Sequence, residues 1–494
     1  MLSDCVDLSR LIPSPEAVAC VPEATARRLG IVPLGLVEGH ADRQLLVACA
    51  DPDNTTKLQR LSRQLSTDCS VLALPAAIDD LQSALDKCYS PALEFEDSLR
   101  RCRSQAEAEQ LMHSRPGFLV QLLENLLLLS CRLGASDIHL SPERYTLVIR
   151  LRLDGVMQTR AIVSKAVHSG LLVRIKVLAA MDIAEVRKPQ DGQFSQLIDG
   201  HDFDFRVSTF PTTHGENTVI RVLDSYQQRD SLASLLLPAD IEQTLKRLLQ
   251  RPDGLVLVCG PTGSGKSTTL HAMLRERNAE ELNIMTLEDP VELSASGIRQ
   301  STIDADHSLD YAEGVRALLR QDPDVLLVGE IRDSQSCAMA LRAVMSGHQV
   351  LTTVHANSAL AGLTRLRELG APPALLADNL VAVASQRLIR ICCGHCDDRY
   401  DAKSLMLCPS CHGSGFHGRQ AVIELLVVTP ELARLIVSGA NQEELLHCAL
   451  RDGFVPLLEQ GQRLIDQHLT TASELERVLG RQDPSLSAPD TTRR

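Results

Sequence analysis

The chain has 494 residues, 44% of them hydrophobic, a formal net charge of −13, 3% aromatics and no Trp. That length suits roughly three or four domains, each with its own core. The acidic balance argues against non-specific binding along a nucleic-acid backbone, and the shortage of aromatics argues against base-stacking platforms. No apolar run reaches the length of a membrane span, and the N-terminus lacks the regions of a secretory signal. The fifteen cysteines, an odd number mostly scattered singly, do not read as a disulfide framework. The expectation is a cytoplasmic protein.

Residues 1–90 read as a small α/β module, with strands at 45–50 and 71–74 and a helical face through Leu58, Leu61 and Leu65. Nothing in it carries chemistry, so its expected job is docking to a partner. Residues 91–115 crowd charges such as Glu94, Glu96, Asp97, Arg100, Arg101 and Arg103. They read as a mobile, partly helical linker or as a solvated helix. Residues 116–230 form a second module that begins with a helix at 118–133. The stretch 146–153 alternates like a strand with Arg150 and Arg152 on one face, and Asp154-Gly155 signals a hairpin. Strands expected at 203–208 and 218–223 carry Arg206 and Arg221. A strand arginine is commonly a solvated charge; this density of arginines beside a nucleotide domain points to a phosphate role.

From 231 to 480, short apolar strands at 255–259, 283–287, 325–328 and 349–354 alternate with helices. This implies a mostly parallel sheet covered on both faces, with ligands at the carboxyl ends of its strands. The first strand runs into Gly260-Pro261-Thr262-Gly263-Ser264-Gly265-Lys266-Ser267, a phosphate loop of the form G-x-x-x-x-G-K-[ST], and Thr268 continues into a helix. Glycines let successive N–H groups converge on one anion at the positive end of the helix. Lys266 is expected to reach the β- and γ-phosphates of ATP, and Ser267 to hold Mg²⁺.

Two carboxylates, Glu288 and Glu330, follow other strands. One is expected to polarise water and the other to orient metal-bound water; the sequence leaves the assignment open. His348 and His355 bracket a further strand and read as γ-phosphate sensors. Cys393-Gly-His-Cys396 and Cys408-Pro-Ser-Cys411 pair two CxxC units. Four thiolates with no open position specify structural Zn²⁺ in a module at 390–415. Residues 431–480 read as helices and 481–494 as a frayed tail.

The phosphate loop, Thr286-Leu-Glu-Asp-Pro-Val-Glu292, the stretch from Leu319 through Asp324 and Glu330 to Asp333, and Ser346-Gly-His through His355 resemble four successive boxes of the type II/type IV secretion ATPases. Gly134-Ala-Ser-Asp-Ile-His139, Pro189-Gln-Asp-Gly192 and Arg206-Val-Ser-Thr209 through Glu216 resemble that family's N-terminal half. With the paired CxxC, the pattern is most similar to the general secretion pathway protein E subgroup. The resemblance implies an α/β fold: a RecA-like P-loop core, a PAS-like N-terminal subdomain, a small zinc module and an extra docking domain. It further implies a homo-hexameric Mg²⁺-dependent ATPase at the cytoplasmic face of the inner membrane. There it would be held through a platform protein and a cytoplasmic adaptor, and would drive pseudopilus assembly and protein export. Arg206 and Arg221 match family positions that contact the γ-phosphate. Pilus-assembly and DNA-transfer or DNA-uptake motors are the alternatives.

Overall fold

Residues 15–38, 43–52, 54–62, 69–77, 117–224, 231–277, 280–303, 310–395 and 414–480 are described by a computed structural model, together with isolated positions between them. They fall into two units, Met1–Asp224 and Ser225–Arg494. In the first unit, helices Pro15–Cys20 and Glu23–Leu29 precede β1 (Ile31–Glu38) and β2 (Arg43–Cys49); helix Thr55–Ser62 then leads to β3 (Cys69–Pro75). β1 pairs antiparallel with β2, and β2 parallel with β3. The sequence reading found β2, β3 and the helix but not β1. Pro33 breaks its pattern, and the ladder shifts register between Pro33 and Gly35. A proline is tolerated there because β1 is an edge strand.

The same unit holds an antiparallel sheet in the order β6-β5-β4-β9-β8-β7. Its strands are β4 (Asp137–Pro142), β5 (Thr146–Leu153), β6 (Val156–Ser164), β7 (Gln190–Ile198), β8 (His201–Thr212) and β9 (Gly215–Asp224). Asp154 and Gly155 make the β5–β6 turn with φ of 48° and 79°. Leu147, Ile149 and Leu151 of β5 are buried with Leu122, Leu123, Leu126 and Leu127 of helix Phe118–Arg132, while Arg150 and Arg152 alternate with them along the strand. The linker reading of 91–115 needs correction where the segment is described. Phe95, Leu99 and Cys102 are buried in this same core. They lie at i, i+4 and i+7, a helical stripe that the surrounding charges had hidden.

The second unit is built on a seven-stranded sheet in the order β12-β11-β13-β14-β10-β15-β16. Its strands are β10 (Gly254–Cys259), β11 (Ile284–Glu288), β12 (Ile298–Thr302), β13 (Val325–Val328), β14 (Gln349–Val354), β15 (Leu380–Cys392) and β16 (Phe416–Val427). Every neighbouring pair is parallel except β15–β16. Two cores flank it. Leu255, Leu257 and Cys259 of β10 face one, Val256 and Val258 the other, so the strand reads as an unbroken apolar run. Helices Pro430–Ser438, Gln442–Arg451, Leu457–Asp466 and Ala472–Leu479 fill the expected helical stretch. The tail from 481 lies outside the described residues.

The last helix is pinned to β15 by Glu474, whose carboxylate is buried. It accepts from the Arg390 backbone N–H at 3.1 Å, from the Arg390 guanidinium at 2.8 Å and from Arg477 at 2.7 Å. Burial alone would raise its pKa; the bonds from Arg477 and Arg390 prevail and hold it at about 2. Because the folded value lies below the unfolded one, this stabilisation is present above pH about 4.5 and is lost as the pH falls toward about 2. Glu474→Gln should cost about 2 kcal/mol, chiefly by leaving the largely buried Arg390 guanidinium uncompensated, since water screens the more exposed Arg477. Denaturant titrations at several pH values check both points: the difference between parent and variant should shrink on acidification, and a constant difference would remove the charge from the explanation.

Candidate functional site

At the carboxyl end of β10 the chain turns through Gly260, Gly263 and Gly265 with φ of 152°, 77° and 83°. The last two angles lie in the left-handed region that favours glycine. Pro261, Thr262 and Gly263 are exposed, Ser264 is buried, and helix Lys266–Arg277 starts at once, with the Thr269 N–H bonded to the Gly265 carbonyl at 3.0 Å. Ser267 is exposed and Thr268 half-buried in the first turn of this helix. The Lys266 ammonium bridges the Gly260 carbonyl at 2.9 Å and the Pro261 carbonyl at 3.2 Å. Burial pushes its pKa down, and the negative field of Glu330 works against that shift.

Glu330 and His355 meet at the same sheet edge. Glu330 follows β13, and its carboxylate takes Nε2 of His355 at 3.1 Å and Nε of Arg332 at 2.9 Å. Arg332 also reaches Asp289 at 3.1 Å. His355 follows β14, and Thr353 of that strand donates to the Gly329 carbonyl at 2.7 Å, holding the two strand ends together. The structure thus gathers Lys266, Glu330 and His355 around one edge.

His348 requires a correction. β14 runs parallel to β10, so the residue before it lies at the opposite, amino edge: the His348 carbonyl accepts from Gly254 N–H, where β10 begins. Six strand residues separate it from His355, a span of about 20 Å at roughly 3.3 Å per residue. Its ring instead contacts Ser346 at 3.0 Å and the Ala343 carbonyl at 2.9 Å. His348 is therefore not a sensor of the phosphates held by its own loop.

Glu288 and Glu330 also part company. Glu288 is buried at the end of β11, with one oxygen taking His271 Nε2 at 2.9 Å and the other taking Thr286 at 2.7 Å and Gln300 at 3.1 Å. Burial raises its pKa, but the contacts with His271, Thr286 and Gln300 outweigh it and leave the carboxyl below its ordinary value. Both oxygens are engaged, so Glu288 ties β11 to the helix after the phosphate loop. His271, which makes that tie, was missed; in sequence it is one polar position in a helix.

In the first unit Arg206 and Arg221 face one another across β8 and β9. Asp137 of β4 reaches Arg221 at 3.2 Å and Arg152 at 3.4 Å. A carboxylate between two guanidinium groups fixes their planes; the Ser-Asp-Ile-His motif was noted in sequence without this role.

Cys393, Cys408 and Cys411 are buried, and their sulfurs all lie within 4.8 Å of one another. Cys393 and Cys408 are 3.8 Å apart, which matches the edge of about 3.8 Å that Zn–S bonds of about 2.3 Å give in a tetrahedron. The donors fit zinc. Cys396, the fourth expected ligand, lies outside the described residues. Cys392 stands apart from the cluster, and its backbone N–H bonds to Leu469.

A parallel sheet with a glycine-rich phosphate loop at its carboxyl edge, a lysine within that loop and a strand-end carboxylate beside it define a P-loop nucleoside triphosphatase. The family model described as type II/IV secretion system protein matches residues 113–477, and an MshEN domain model matches 3–95. The type II secretion system ATPase E of Vibrio cholerae is 37% identical over 451 residues, covering 88% of this chain and 87% of that protein. The type II secretion system protein HxcR of Pseudomonas aeruginosa is 38% identical over 412 residues, covering 81% and 88%. Among solved structures, the Yersinia pseudotuberculosis ATPase DotB aligns with a TM-score of 0.58 at 22% identity, over 73% of this chain and 93% of that one. The chain belongs to the type II/IV secretion system protein family, with a RecA-like ATPase core and an MshEN domain at its N-terminus.

Proposed function

We propose that this chain is the ATPase of a type II secretion machine, hydrolysing ATP to power pseudopilus assembly and protein export. The observation that carries this reading is the meeting of Lys266, Glu330 and His355 at the phosphate-loop edge, in a chain aligned over 88% of its length with a type II secretion system ATPase E. Lys266 and the loop N–H groups hold the β- and γ-phosphates. Ser267, exposed at the first helical turn, and Glu330 would hold Mg²⁺, which would supply positive charge against the phosphates. His355 reads the γ-phosphate and passes its presence to Glu330. Glu288 is a strut that positions β11 against the phosphate-loop helix.

Residues 116–230 are the PAS-like subdomain, which offers Arg206 and Arg221 to a phosphate. An arginine so placed contributes about 10³–10⁵ in rate. The working unit is a homo-hexamer at the cytoplasmic face of the inner membrane. It is held by a platform protein and an adaptor that bind residues 1–90, without direct membrane insertion or nucleic acid.

Removing the chain from its source organism should stop export of proteins to the medium and leave surface pili in place. Loss of pili with export intact would favour a pilus-assembly motor; turnover stimulated by DNA with a steep salt dependence would favour a DNA motor. Glu330→Gln should keep nucleotide affinity and lower turnover by about 10²–10³. Phosphate release measured beside nucleotide binding checks this, and ordinary turnover would take Glu330 out of the chemistry.

A further inference from the structure

One buried side chain supports the phosphate loop from beneath. Gln386 lies in β15, beyond the point where β10 ends, and is 1% exposed. Its amide nitrogen donates to the Ser264 carbonyl at 2.7 Å, and its amide oxygen accepts from the Thr269 hydroxyl at 2.7 Å. A carbonyl only accepts, so Ser264 fixes which end of the amide faces it. A Cβ on Gly260 would stand 2.6 Å from the Gln386 carbonyl oxygen, and one on Gly265 would stand 2.9 Å from Nε2. The loop lies directly on this residue: at Gly260 a side chain would meet backbone that cannot yield, and at Gly265 it would meet the clamping amide itself.

A trans peptide points its C=O and N–H in opposite directions. The Ser264 carbonyl turns toward Gln386, so the N–H of the same peptide unit, that of Gly265, turns away from β15. Thr269 belongs to the helix and Ser264 to the curl. A single amide therefore sets the curl against the helix that follows it.

We propose that Gln386 is a positioning residue for the nucleotide, its amide clamping Ser264 to Thr269 so that the Gly265 N–H is presented to a phosphate. This rests on the phosphate loop being the ATP site. The next residue extends the arrangement: the Arg387 guanidinium donates to the Gln386 carbonyl at 2.9 Å and to the Asn357 carbonyl at 2.9 Å, linking the clamp to the segment that carries His355.

The test uses the full-length chain with Gln386→Met, which keeps the length of the side chain and removes both bonds. Gln386→Glu replaces the donor by a carboxylate oxygen that repels the Ser264 carbonyl, and Thr269→Val removes the second bond from the helix side. The readouts are the affinity for a fluorescent methylanthraniloyl-ATP with Mg²⁺, KM and kcat for ATP, and melting temperature with and without Mg·ATP. The two Gln386 variants should bind about tenfold more weakly and Thr269→Val about threefold, with KM rising more than kcat falls. The rise in melting temperature brought by Mg·ATP should shrink, because it follows the ratio of ligand concentration to dissociation constant. A packing role alone would lower the melting temperature without nucleotide and leave that rise unchanged. Affinity within about twofold of the parent in Gln386→Glu and Thr269→Val overturns the clamp, whether or not Gln386→Met folds. Lys266→Ala separates the two readings: if it binds nucleotide as the parent does, the site assignment fails; if it loses binding while the clamp variants keep it, only the clamp fails.

Discussion

Lys266→Ala should lower ATP hydrolysis by at least about 10²–10³ and leave the fold unchanged. The Lys266 ammonium donates to the Gly260 and Pro261 carbonyls of its own loop. Removing it takes no side chain out of either core that flanks the sheet. What is lost is a positive charge placed where negative charge is handled, in a half-buried position where water screens it little. Burial lowers the lysine's pKa and Glu330 opposes that, so the charge depends on a neighbour that belongs to the same site. Lys266→Arg should rescue little, since a planar fork does not fit between two carbonyls that a point-like ammonium bridges. Steady-state phosphate release and circular dichroism together check this. Hydrolysis within about tenfold of the parent with an unchanged spectrum would separate the loop from the chemistry.

The parts that sequence disclosed are those where one local rule acts alone. β5 alternates cleanly and ends in Asp154-Gly155, a turn that needs positive φ at both positions. β10 is apolar throughout and ends in a glycine-rich loop that no ordinary turn would need. The misses arose where two rules compete or where the third dimension decides. β15 went unread because Ser385, Gln386 and Arg387 interrupt its apolar run, and Gln386 and Arg387 are the residues that meet the phosphate loop and the His355 segment. His348 and His355 look equivalent on either side of a strand; only the parallel pairing of β14 with β10 shows that one of them is at the wrong edge. Glu288 and Glu330 both follow apolar strands, and the difference between them lies in His271, Thr286 and Gln300, partners 17, 2 and 12 residues away in the chain. The stripe of Phe95, Leu99 and Cys102 was outnumbered by charges, although three apolar side chains at helical spacing are enough to join a core.

Cys408→Ser should cost the hairpin tip between β15 and β16 its metal and its order, and leave the sheet beneath it intact. Cys393, Cys408 and Cys411 form a buried cluster that no other apolar side chain joins among the described residues. Three thiols alone bury too little to hold a loop, whereas a structural zinc contributes on the order of 10 kcal/mol. Below the tip, β15 and β16 stay paired from Ala382–Val427 to Cys392–Phe416, and Glu474 grips Arg390 at 2.8 Å, so the strands do not depend on the metal for their register. Native mass spectrometry should find one zinc per parent chain and none in Cys408→Ser. Chelation or substitution should open a protease site between residues 393 and 411 while the main melting transition moves little. The proposed four-thiolate site fails if Cys408→Ser keeps its zinc and resists cleavage. A collapse of the whole unit on chelation would instead mean that the thiols hold the sheet edge itself, against the independent pairing that β15 and β16 display.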